Sequence, residues 1–360
     1  MKRRDLMLAL GAGGLASACG RANDTGSAPA REAITWNMVT TWPKNFPGLG
    51  TAAQHLADLI TRMSDGELTV RVYGAGERVP ALEVFDAVSR GAAQMGHGAA
   101  YYWKGKSPAT PFFTAVPFGM TASEMQAWLH VGGGMELWRE LYAEFDLVPF
   151  EAGDTGTQMG GWFREPVADL EALRQLKVRM PGLGGEVLQA LDVTTVNIPG
   201  SELFTSLQQG VIDAAEWVGP YNDLAFGFHK VARHYYYPGW HEPCGNLEAI
   251  VHKPAWAALP ERLQAVVGAA CMAAGRRMQA EMRANNQRAL RSLVDEHGVT
   301  LHRFPDDILA ALREATPGVL EDLVAGDAFA SRVHDAYRDF AARARDWTTL
   351  GEAAILELRP

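Results

Sequence analysis

Residues 84–97 read VFDAVSRGAAQMGH, and residues 203–216 read LFTSLQQGVIDAAE. In both stretches, apolar residues at helical spacing are followed by a glycine, Gly91 or Gly210, and then by a short run of small and apolar residues. This order predicts an amphipathic helix that ends at the glycine and leads into a strand. One such unit in each half of the chain favours two similar α/β lobes, although the same order of elements also occurs by chance in unrelated α/β folds.

Aligning the two stretches places His97 and Glu216 at equivalent strand ends. In open α/β sheets, ligands gather beyond the carboxyl ends of the strands. Glu216 is followed directly by Trp217, and His97 is followed by the aromatic segment GAAYYWKGK at 98–106. We therefore expect these two segments to face one cleft from opposite sides.

The residues before the first copy have the periodicity of a strand, a helix and a second strand. AITWNMV (33–39) and ELTVRVY (67–73) alternate apolar and polar residues, and the apolar residues between them recur at helical spacing. Such a unit indicates a largely parallel sheet. The chain after residue 260 has helical periodicity and shows no motif of a catalytic or binding site. This suggests a scaffold that packs across the lobes or against a second copy.

The chain begins MKRRDLMLALGAGGLASAC, a basic start followed by an apolar run too short to span a bilayer as a permanent helix. This is typical of a secretory signal, and we expect residues 1–18 to be removed. Arg3 and Arg4 resemble the pair of a twin-arginine export signal. LASAC also resembles a lipoprotein cleavage site, so that Cys19 is either acylated or simply the first residue. Residues 19–32 are small and polar, which predicts a flexible tether.

The composition limits the partners and the size of the lobes. Lys and Arg number 33 against 42 Asp and Glu, giving a net charge of −9, which disfavours nucleic acid as a partner. The residues after 32 are too many for one compact core, so two lobes are expected. Cys244 and Cys271 form a disulfide in an exported protein or remain two buried free thiols.

The sequence lacks the common signatures of catalysis. It contains no GxSxG, no Walker loop, no HExxH and no CxxC. Instead, LRQLKVRMPGLGG (173–185) places Arg179 at the end of a candidate strand, just before a helix start. Arginine suits two-bonded recognition of a carboxylate, although a solvated surface position is its usual alternative.

Six motifs resemble those of the periplasmic solute-binding subunits of TRAP (tripartite ATP-independent periplasmic) transporters, in the branch that binds 2-oxoacids. The motifs are HGAAYYWKGK (97–106), AVPFGM (115–120), TGTQMGGWFR (155–164), LKVRMPG (176–182), GVIDAAEWVGPYND (210–223) and YYYPGWHE (235–242). The resemblance runs from about residue 33 to 350. It implies an α/β, two-lobed, type II-like clamshell with mixed sheets flanked by helices and a helical C-terminal part. His241 departs from the resemblance, and this leaves the exact substrate open.

The resemblance also implies a division of the chain. Lobe 1 is expected to comprise residues 33–150 and 245–290, and lobe 2 residues 151–244. Residues 291–360 are expected to form C-terminal helices that pack across the lobes, or against a second copy in a homodimer.

The same resemblance implies a set of site residues. Arg179 holds the ligand carboxylate, and Gln158, Glu216 and the carbonyl of Trp217 coordinate a cation. The ligand-binding residues are expected to be Arg179, Gln158, Tyr101, Tyr102, Trp217, Glu216 and Trp162, and the metal ligands Gln158, Glu216, Trp217 and Glu242.

Charge counting supports a bridging cation independently. A monocarboxylate and Glu216 bring two negative charges into one dry cleft, and Arg179 neutralises only one of them. Oxygen ligands suit a hard ion, Na⁺ or Ca²⁺, better than Zn²⁺. The alternative is a salt bridge between Glu216 and Arg179 without a metal.

The sequence thus predicts a receptor, not an enzyme, that captures a pyruvate-like 2-oxo monocarboxylate in the periplasm and delivers it to a TRAP membrane permease. It would contact the membrane itself only through a lipid on Cys19. The alternatives are a receptor for 2-hydroxy acids such as lactate, a receptor that signals to a membrane sensor, and a periplasmic metal-dependent enzyme in which Glu216 acts as general base.

Overall fold

The computed structural model describes residues 33–359. The predicted signal (1–18), the predicted tether (19–32) and Cys19 lie outside the described residues. Strands and helices alternate from residue 33 to about residue 252, and helices dominate thereafter. In the described part of the chain, no helix combines the length and the apolar character that crossing a bilayer requires.

The strands and helices of the described residues follow in chain order. The strands are β1 (Ile34–Thr40), β2 (Leu68–Tyr73), β3 (Met95–Gly98), β4 (Leu147–Asp154), β5 (Gly161–Phe163), β6 (Lys177–Arg179), β7 (Thr194–Val196), β8 (Ala214–Ala215), β9 (His234–Tyr237), β10 (Asn246–His252) and β11 (Thr300–Arg303). The helices are α1 (Gly50–Met63), α2 (Val84–Ser89), α3 (Ala122–His130), α4 (Gly134–Ala143), α5 (Leu170–Arg174), α6 (Gly182–Ala190), α7 (Gly200–Gln208), α8 (Pro220–Phe226), α9 (Lys253–Ala257), α10 (Glu261–Arg291), α11 (Asp306–Val324), α12 (Ala328–Thr348) and α13 (Ala354–Leu358).

Two mixed sheets organise these strands. The first sheet has the order β2-β1-β3-β10-β4, in which β1 is parallel to β2 and β3, and β10 is antiparallel to β3 and β4. The second has the order β11-β9-β5-β8-β6-β7, in which β6 is parallel to β7 and β8, and β5 is antiparallel to β8 and β9. The predicted α/β class with mixed sheets is confirmed. We call the part around the first sheet lobe 1 and the part around the second lobe 2.

The predicted helix-glycine-strand repeat is present in both lobes. Helices α2 and α7 are followed by Gly91 and Gly210, whose φ angles of +74° and +69° lie in the left-handed region that glycine enters without strain. The strands that follow, β3 and β8, occupy equivalent places, each with a parallel neighbour on one side and an antiparallel neighbour on the other. The two strand ends therefore correspond, as the alignment predicted.

Three features differ from the sequence-based expectations or resolve an open alternative. Strand β4 runs through residue 154 within the first sheet, so it crosses the predicted lobe boundary at residue 151. Residues 300–303, where no strand was predicted within the helical C-terminal part, form β11 and extend the second sheet beside β9. Cys244 and Cys271 are both buried and unpaired, so the disulfide alternative is wrong. The boundaries of the lobes otherwise stay a prediction.

The long helix α10 contacts both lobes. It packs on α1 and β4 of lobe 1 and on α8 of lobe 2. One buried apolar cluster likewise joins the lobes, because it contains Trp42 and Phe46 from the loop after β1 together with Trp217 and Ile212 from lobe 2. These contacts bring the strand ends of the two sheets against each other.

Candidate functional site

The carboxyl ends of two parallel strands bring Arg179 and Glu216 together. Arg179 is the last residue of β6, and Glu216 follows its neighbour β8 directly. The Arg179 Nη1 atom donates to the backbone carbonyl of Glu216 at 2.6 Å and lies 3.5 Å from Glu216 Oε2, while Nε donates to the carbonyl of Ile198 at 3.3 Å. Both side chains are only 1% exposed. The backbone of lobe 2 thus fixes the guanidinium and leaves its Nη2 atom without a partner.

Three titratable side chains converge beside the guanidinium. Ligating atoms of Glu216, His241 and Glu242 all lie within 4.8 Å of one another, and all three residues are buried. The His241 Nε2 atom is 3.4 Å from Glu216 Oε1. Glu242 follows His241 in the segment between β9 and β10, where the chain returns from lobe 2 to lobe 1.

Gln158 completes this cluster from the loop between β4 and β5. Its Nε2 atom donates to Glu242 Oε2 at 2.7 Å and to Thr155 Oγ1 at 3.0 Å. The amide orientation that these two bonds require leaves Gln158 Oε1 buried without a donor. Gln158 therefore presents an oxygen to the cluster.

Several buried polar atoms of the cluster lack a hydrogen-bond partner among the described residues. They are Gln158 Oε1, Arg179 Nη2, Glu216 Oε1, Trp217 Nε1 and both ring nitrogens of His241. Unpartnered buried polar atoms cost on the order of 1–3 kcal/mol each, so their concentration in one place points to a polar ligand. The set fits a cation and a carboxylate, because it offers amide and carboxylate oxygens to the first and a free guanidinium donor to the second.

Electrostatics inside the cluster favour an added positive charge. Burial raises the pKa of Glu242 well above its usual value, and the neighbouring charge of Glu216 raises it further, while Arg179 opposes the shift. Two carboxyl groups in one dry site therefore share a single guanidinium. A cation among the oxygens would remove this repulsion.

Lobe 1 contributes two tyrosines to the cluster. Tyr101 and Tyr102 belong to a short 3-10 helix after β3, and their rings meet edge to face with centroids 4.7 Å apart. Burial raises the pKa of Tyr101 well above its usual value, and the nearby charge of Glu242 raises it further. Tyr101 thus reaches from lobe 1 into the cluster, as expected of the segment after His97.

Trp217 forms an aromatic wall of the site. Its ring meets Trp42 and Phe46 of lobe 1 edge to face at centroid distances of 6.3 Å and 6.4 Å, and the Arg179 guanidinium carbon lies 5.3 Å from its centroid. A Cβ at Gly200 would lie 2.3 Å from the indole, so only glycine leaves room for the ring there.

Two residues singled out from the sequence make their contacts elsewhere. Trp162 is fully buried, donates from Nε1 to Asp223 Oδ2 at 2.9 Å, and stacks on Tyr235 at a centroid distance of 4.1 Å. No contact of Trp162 supports its predicted place in the ligand site. His97 accepts a hydrogen bond from Trp42 Nε1 at 2.9 Å, and burial lowers its pKa to about 4. It therefore supports the aromatic wall from behind, as a neutral imidazole.

Sequence reasoning assigned no role to His241. The structure places it 1% exposed against Gly184, where a Cβ would lie 2.7 Å from the His241 Cβ. The signal available in the sequence was its position next to Glu242, but nothing in the spacing shows that both side chains turn towards Glu216.

Comparison with known proteins gives concordant matches. The profile of the bacterial extracellular solute-binding protein family 7 matches residues 38–327. A curated relative from Nostoc sp. strain PCC 7120, named a monocarboxylate 2-oxoacid-binding periplasmic protein, is 37% identical over 356 residues, which cover 98% of this chain and 97% of the relative.

Two solved structures are similar over nine-tenths of the chain. A TRAP periplasmic solute-binding protein from Pseudoalteromonas atlantica, with bound sodium and pyruvate, is 41% identical with a TM-score of 0.89, covering 91% of this chain and 100% of that one. A TRAP solute-binding protein from Bordetella bronchiseptica is 34% identical with a TM-score of 0.89, covering 91% and 97%. It is described as a mixed-occupancy dimer, with copurified calcium and picolinate in one active site and an apo site in the other. These likenesses confirm the predicted fold class.

Proposed function

The chain belongs to the bacterial extracellular solute-binding proteins of family 7, and we propose that it captures a small 2-oxo monocarboxylate such as pyruvate together with Na⁺ or Ca²⁺. It acts as a receptor of a TRAP transporter and delivers the acid to the membrane permease. The relatives named for pyruvate and for 2-oxoacids support this cargo.

One observation supports the proposal: a donor that suits an anion and acceptors that suit a cation lie side by side in a buried site without hydrogen-bond partners. The free Nη2 atom of Arg179 suits the ligand carboxylate. The free oxygens of Gln158 and Glu216, together with the carbonyl of Trp217, suit a hard cation that the carboxylate and 2-oxo oxygens of the ligand chelate. Glu242 and His241 flank the ion, and Tyr101 and Tyr102 close the site from lobe 1.

The same arrangement disfavours the enzymatic alternative. In the enzymatic alternative Glu216 acts as the general base, but here its oxygens hold the ion. The family also consists of solute-binding proteins. We propose that the protein releases its ligand chemically unchanged. Its location is the periplasm, with export by the predicted twin-arginine signal, and attachment to the membrane by a lipid on Cys19 remains part of the proposal.

The C-terminal residues support a homodimer. Large apolar side chains are exposed at the end of α12 and beyond it, a pattern that a single copy leaves uncovered. They are Trp347, Leu350, Ile355, Leu356 and Leu358. We propose that a second copy covers them, and the dimer described for the Bordetella relative supports this.

The experiment is a calorimetric titration of the mature protein with pyruvate, with lactate as competitor, before and after verified removal of metal. We expect one pyruvate per chain, a large loss of affinity without the ion, and recovery with Na⁺ or Ca²⁺. The variant Glu216→Gln keeps the shape but loses the charge that holds the ion, so metal removal and the substitution should not add.

Three of the alternatives would be recognised by their own results in this titration. Undiminished affinity after metal removal would leave Glu216 as a partner of Arg179 and nothing more. Tighter binding of lactate would make the receptor one for 2-hydroxy acids. Conversion of pyruvate or lactate during the titration would establish an enzyme.

A further inference from the structure

Asp223 is a buried acid behind the site, and hydrogen bonds from three different groups converge on it. Its Oδ2 atom accepts from Trp162 Nε1 at 2.9 Å and from the Tyr235 hydroxyl at 2.7 Å, and Oδ1 accepts from the backbone N–H of Val218 at 3.4 Å. Asp223 is 1% exposed and belongs neither to the proposed carboxylate-binding residues nor to the proposed ion ligands. We propose that Asp223 is a positioning residue that aims the carbonyl of Trp217 at the cation, an inference that rests on the proposed function.

The peptide bond between Trp217 and Val218 links the N–H that Asp223 accepts from to the carbonyl of Trp217. A trans peptide is planar, so its C=O and its N–H point in opposite directions. Among the described residues, the one cis peptide bond lies elsewhere, between Tyr237 and Pro238. When Asp223 holds the N–H of Val218 on one side, the carbonyl of Trp217 is turned to the other side, away from the acid.

The neighbouring carbonyls are already engaged. The carbonyl of Glu216 accepts from Arg179 Nη1 at 2.6 Å, and the carbonyl of Val218 accepts from the N–H of Met159 at 2.9 Å. Met159 is adjacent to Gln158, so the two segments that supply the proposed ion ligands are joined at this point. The carbonyl of Trp217 receives no hydrogen bond from residues 33–359, which leaves it for the ion.

The acid also changes the strength of the carbonyl as a ligand. A carboxyl oxygen that accepts from the N–H polarises the whole peptide group and increases the negative charge on the peptide oxygen. Groups that act in this way behind metal ligands typically contribute about 10- to 100-fold to metal affinity. Trp162 and Tyr235 in turn fix the carboxylate of Asp223, which links Trp162 to the site through Asp223.

Asp223→Asn tests the proposal because the asparagine amide has one accepting end. The Tyr235 hydroxyl can face either end of the amide, because it can rotate to donate or to accept. The Trp162 indole N–H can only donate, so the amide oxygen should turn to Trp162. The NH₂ group then faces the N–H of Val218, and the peptide loses its acceptor. Titration with Ca²⁺ alone should show at least about a tenfold loss of affinity relative to the wild type.

Glu248→Gln is the matched control. Glu248 is a fully buried acid of lobe 1 that accepts from an indole and a phenol in the same way, from Trp103 Nε1 at 2.5 Å and from the Tyr142 hydroxyl at 2.8 Å. It lacks any bond to a peptide of the site. This variant should bind Ca²⁺ as the wild type does, even where its stability changes.

A second measurement observes the peptide itself. Trp-Val occurs once in the sequence, at Trp217 and Val218, so labelling with ¹³C-carbonyl tryptophan and ¹⁵N-valine gives a single correlated NMR signal for this bond. In the wild type, Ca²⁺ should shift the carbonyl resonance. In Asp223→Asn, the Val218 proton should move upfield and the response of the carbonyl to Ca²⁺ should shrink. If Asp223→Asn does not fold, Tyr235→Phe removes the shortest bond to Asp223 and should give a smaller change in the same direction.

The outcomes separate the inference from the function on which it rests. A wild type that binds pyruvate with Ca²⁺, beside an Asp223→Asn protein with unchanged Ca²⁺ affinity and an unchanged Val218 signal, would overturn the inference alone. A wild type whose pyruvate binding ignores Ca²⁺ and Na⁺ would overturn the cation mechanism, and the inference with it. Equal losses of Ca²⁺ affinity in Asp223→Asn and Glu248→Gln would reduce Asp223 to a structural residue.

Discussion

Replacing Arg179 by lysine should abolish most ligand binding although the positive charge is kept. In the structure, two of the three guanidinium nitrogens are bound by backbone carbonyls, Nη1 by that of Glu216 and Nε by that of Ile198. The third nitrogen, Nη2, is the free one. A lysine has one ammonium group on a flexible stem, so it reaches either a backbone carbonyl or the ligand in a fixed geometry, but not all of them.

The expected loss follows from these bonds. Forfeiting one charge-assisted hydrogen bond to the ligand costs about 1.5–3 kcal/mol, which corresponds to a loss of roughly 10- to 100-fold in affinity. The carbonyls of Glu216 and Ile198 also lose their donor in a buried place, so the melting temperature should fall as well. Coulomb attraction alone would predict little change in either quantity, since the net charge is conserved.

The assay is calorimetric titration of Arg179→Lys with pyruvate at saturating Ca²⁺, with thermal melting in parallel. Arg174→Lys is the control, because Arg174 also lies in lobe 2 and donates to a backbone carbonyl, from Nε to Leu191 at 3.0 Å, but far from the cluster. It should keep its affinity. If Arg179→Lys binds pyruvate within about threefold of the wild type, well under the 1.4 kcal/mol of a tenfold change, Arg179 does not hold the carboxylate.

Three further outcomes follow from the structure. Burial raises the pKa of Glu248 to about 7 from 4.5, so the folded wild type loses stability as the pH rises through that range and this carboxyl loses its proton. Glutamine does not titrate. In urea unfolding, the stability of Glu248→Gln relative to the wild type should therefore rise by about 2 kcal/mol between pH 5 and pH 8. Gly200→Ala should lower pyruvate affinity, because the new Cβ would lie 2.3 Å from the Trp217 ring, whereas Gly318→Ala in open space should not. Leu350→Arg should convert the proposed dimer to a monomer, as measured by light scattering.

A different result would contradict each of these three predictions. Parallel pH profiles for Glu248→Gln and the wild type would mean that this carboxyl titrates normally in the folded protein. Equal pyruvate affinity in both glycine variants would show that the Trp217 ring can move without cost. A wild type that is monomeric at high concentration would remove the dimer, whatever the behaviour of Leu350→Arg.

Much of the fold and part of the site were readable from the sequence. The glycines at 91 and 210 mark helix ends because few other residues adopt their backbone conformation, and this local constraint survives in any tertiary context. Arg179 and Glu216 were each predicted at the end of a strand, but their roles in one site came from the resemblance to a known family. The structure shows that β6 and β8 are parallel neighbours, which is why the two residues meet at one edge of the sheet.

Other features depend on contacts that no local pattern records. The place of Trp162 in the ligand site stays a prediction; the structure shows its ring packed on Tyr235 and bonded to Asp223, contacts that no local pattern predicts. His241 lies between elements, where neither strand nor helix periodicity fixes the direction of a side chain. The strand at 300–303 was missed because four residues between long helices give too short an alternation to identify.

The middle position of β10 in the first sheet has a consequence for the newly made chain. Strand β10 (Asn246–His252) lies between β3 and β4, and the whole stretch from 155 to 245 is synthesised before it. Until β10 arrives, β3 has one bare edge and β4 has no neighbour among the described strands. Bare strand edges pair readily with other chains. Truncated products that end before residue 246 should therefore aggregate. Strand β10 must insert between β3 and β4 and not pair at the edge of the sheet, so its insertion is the step that protects the nascent protein.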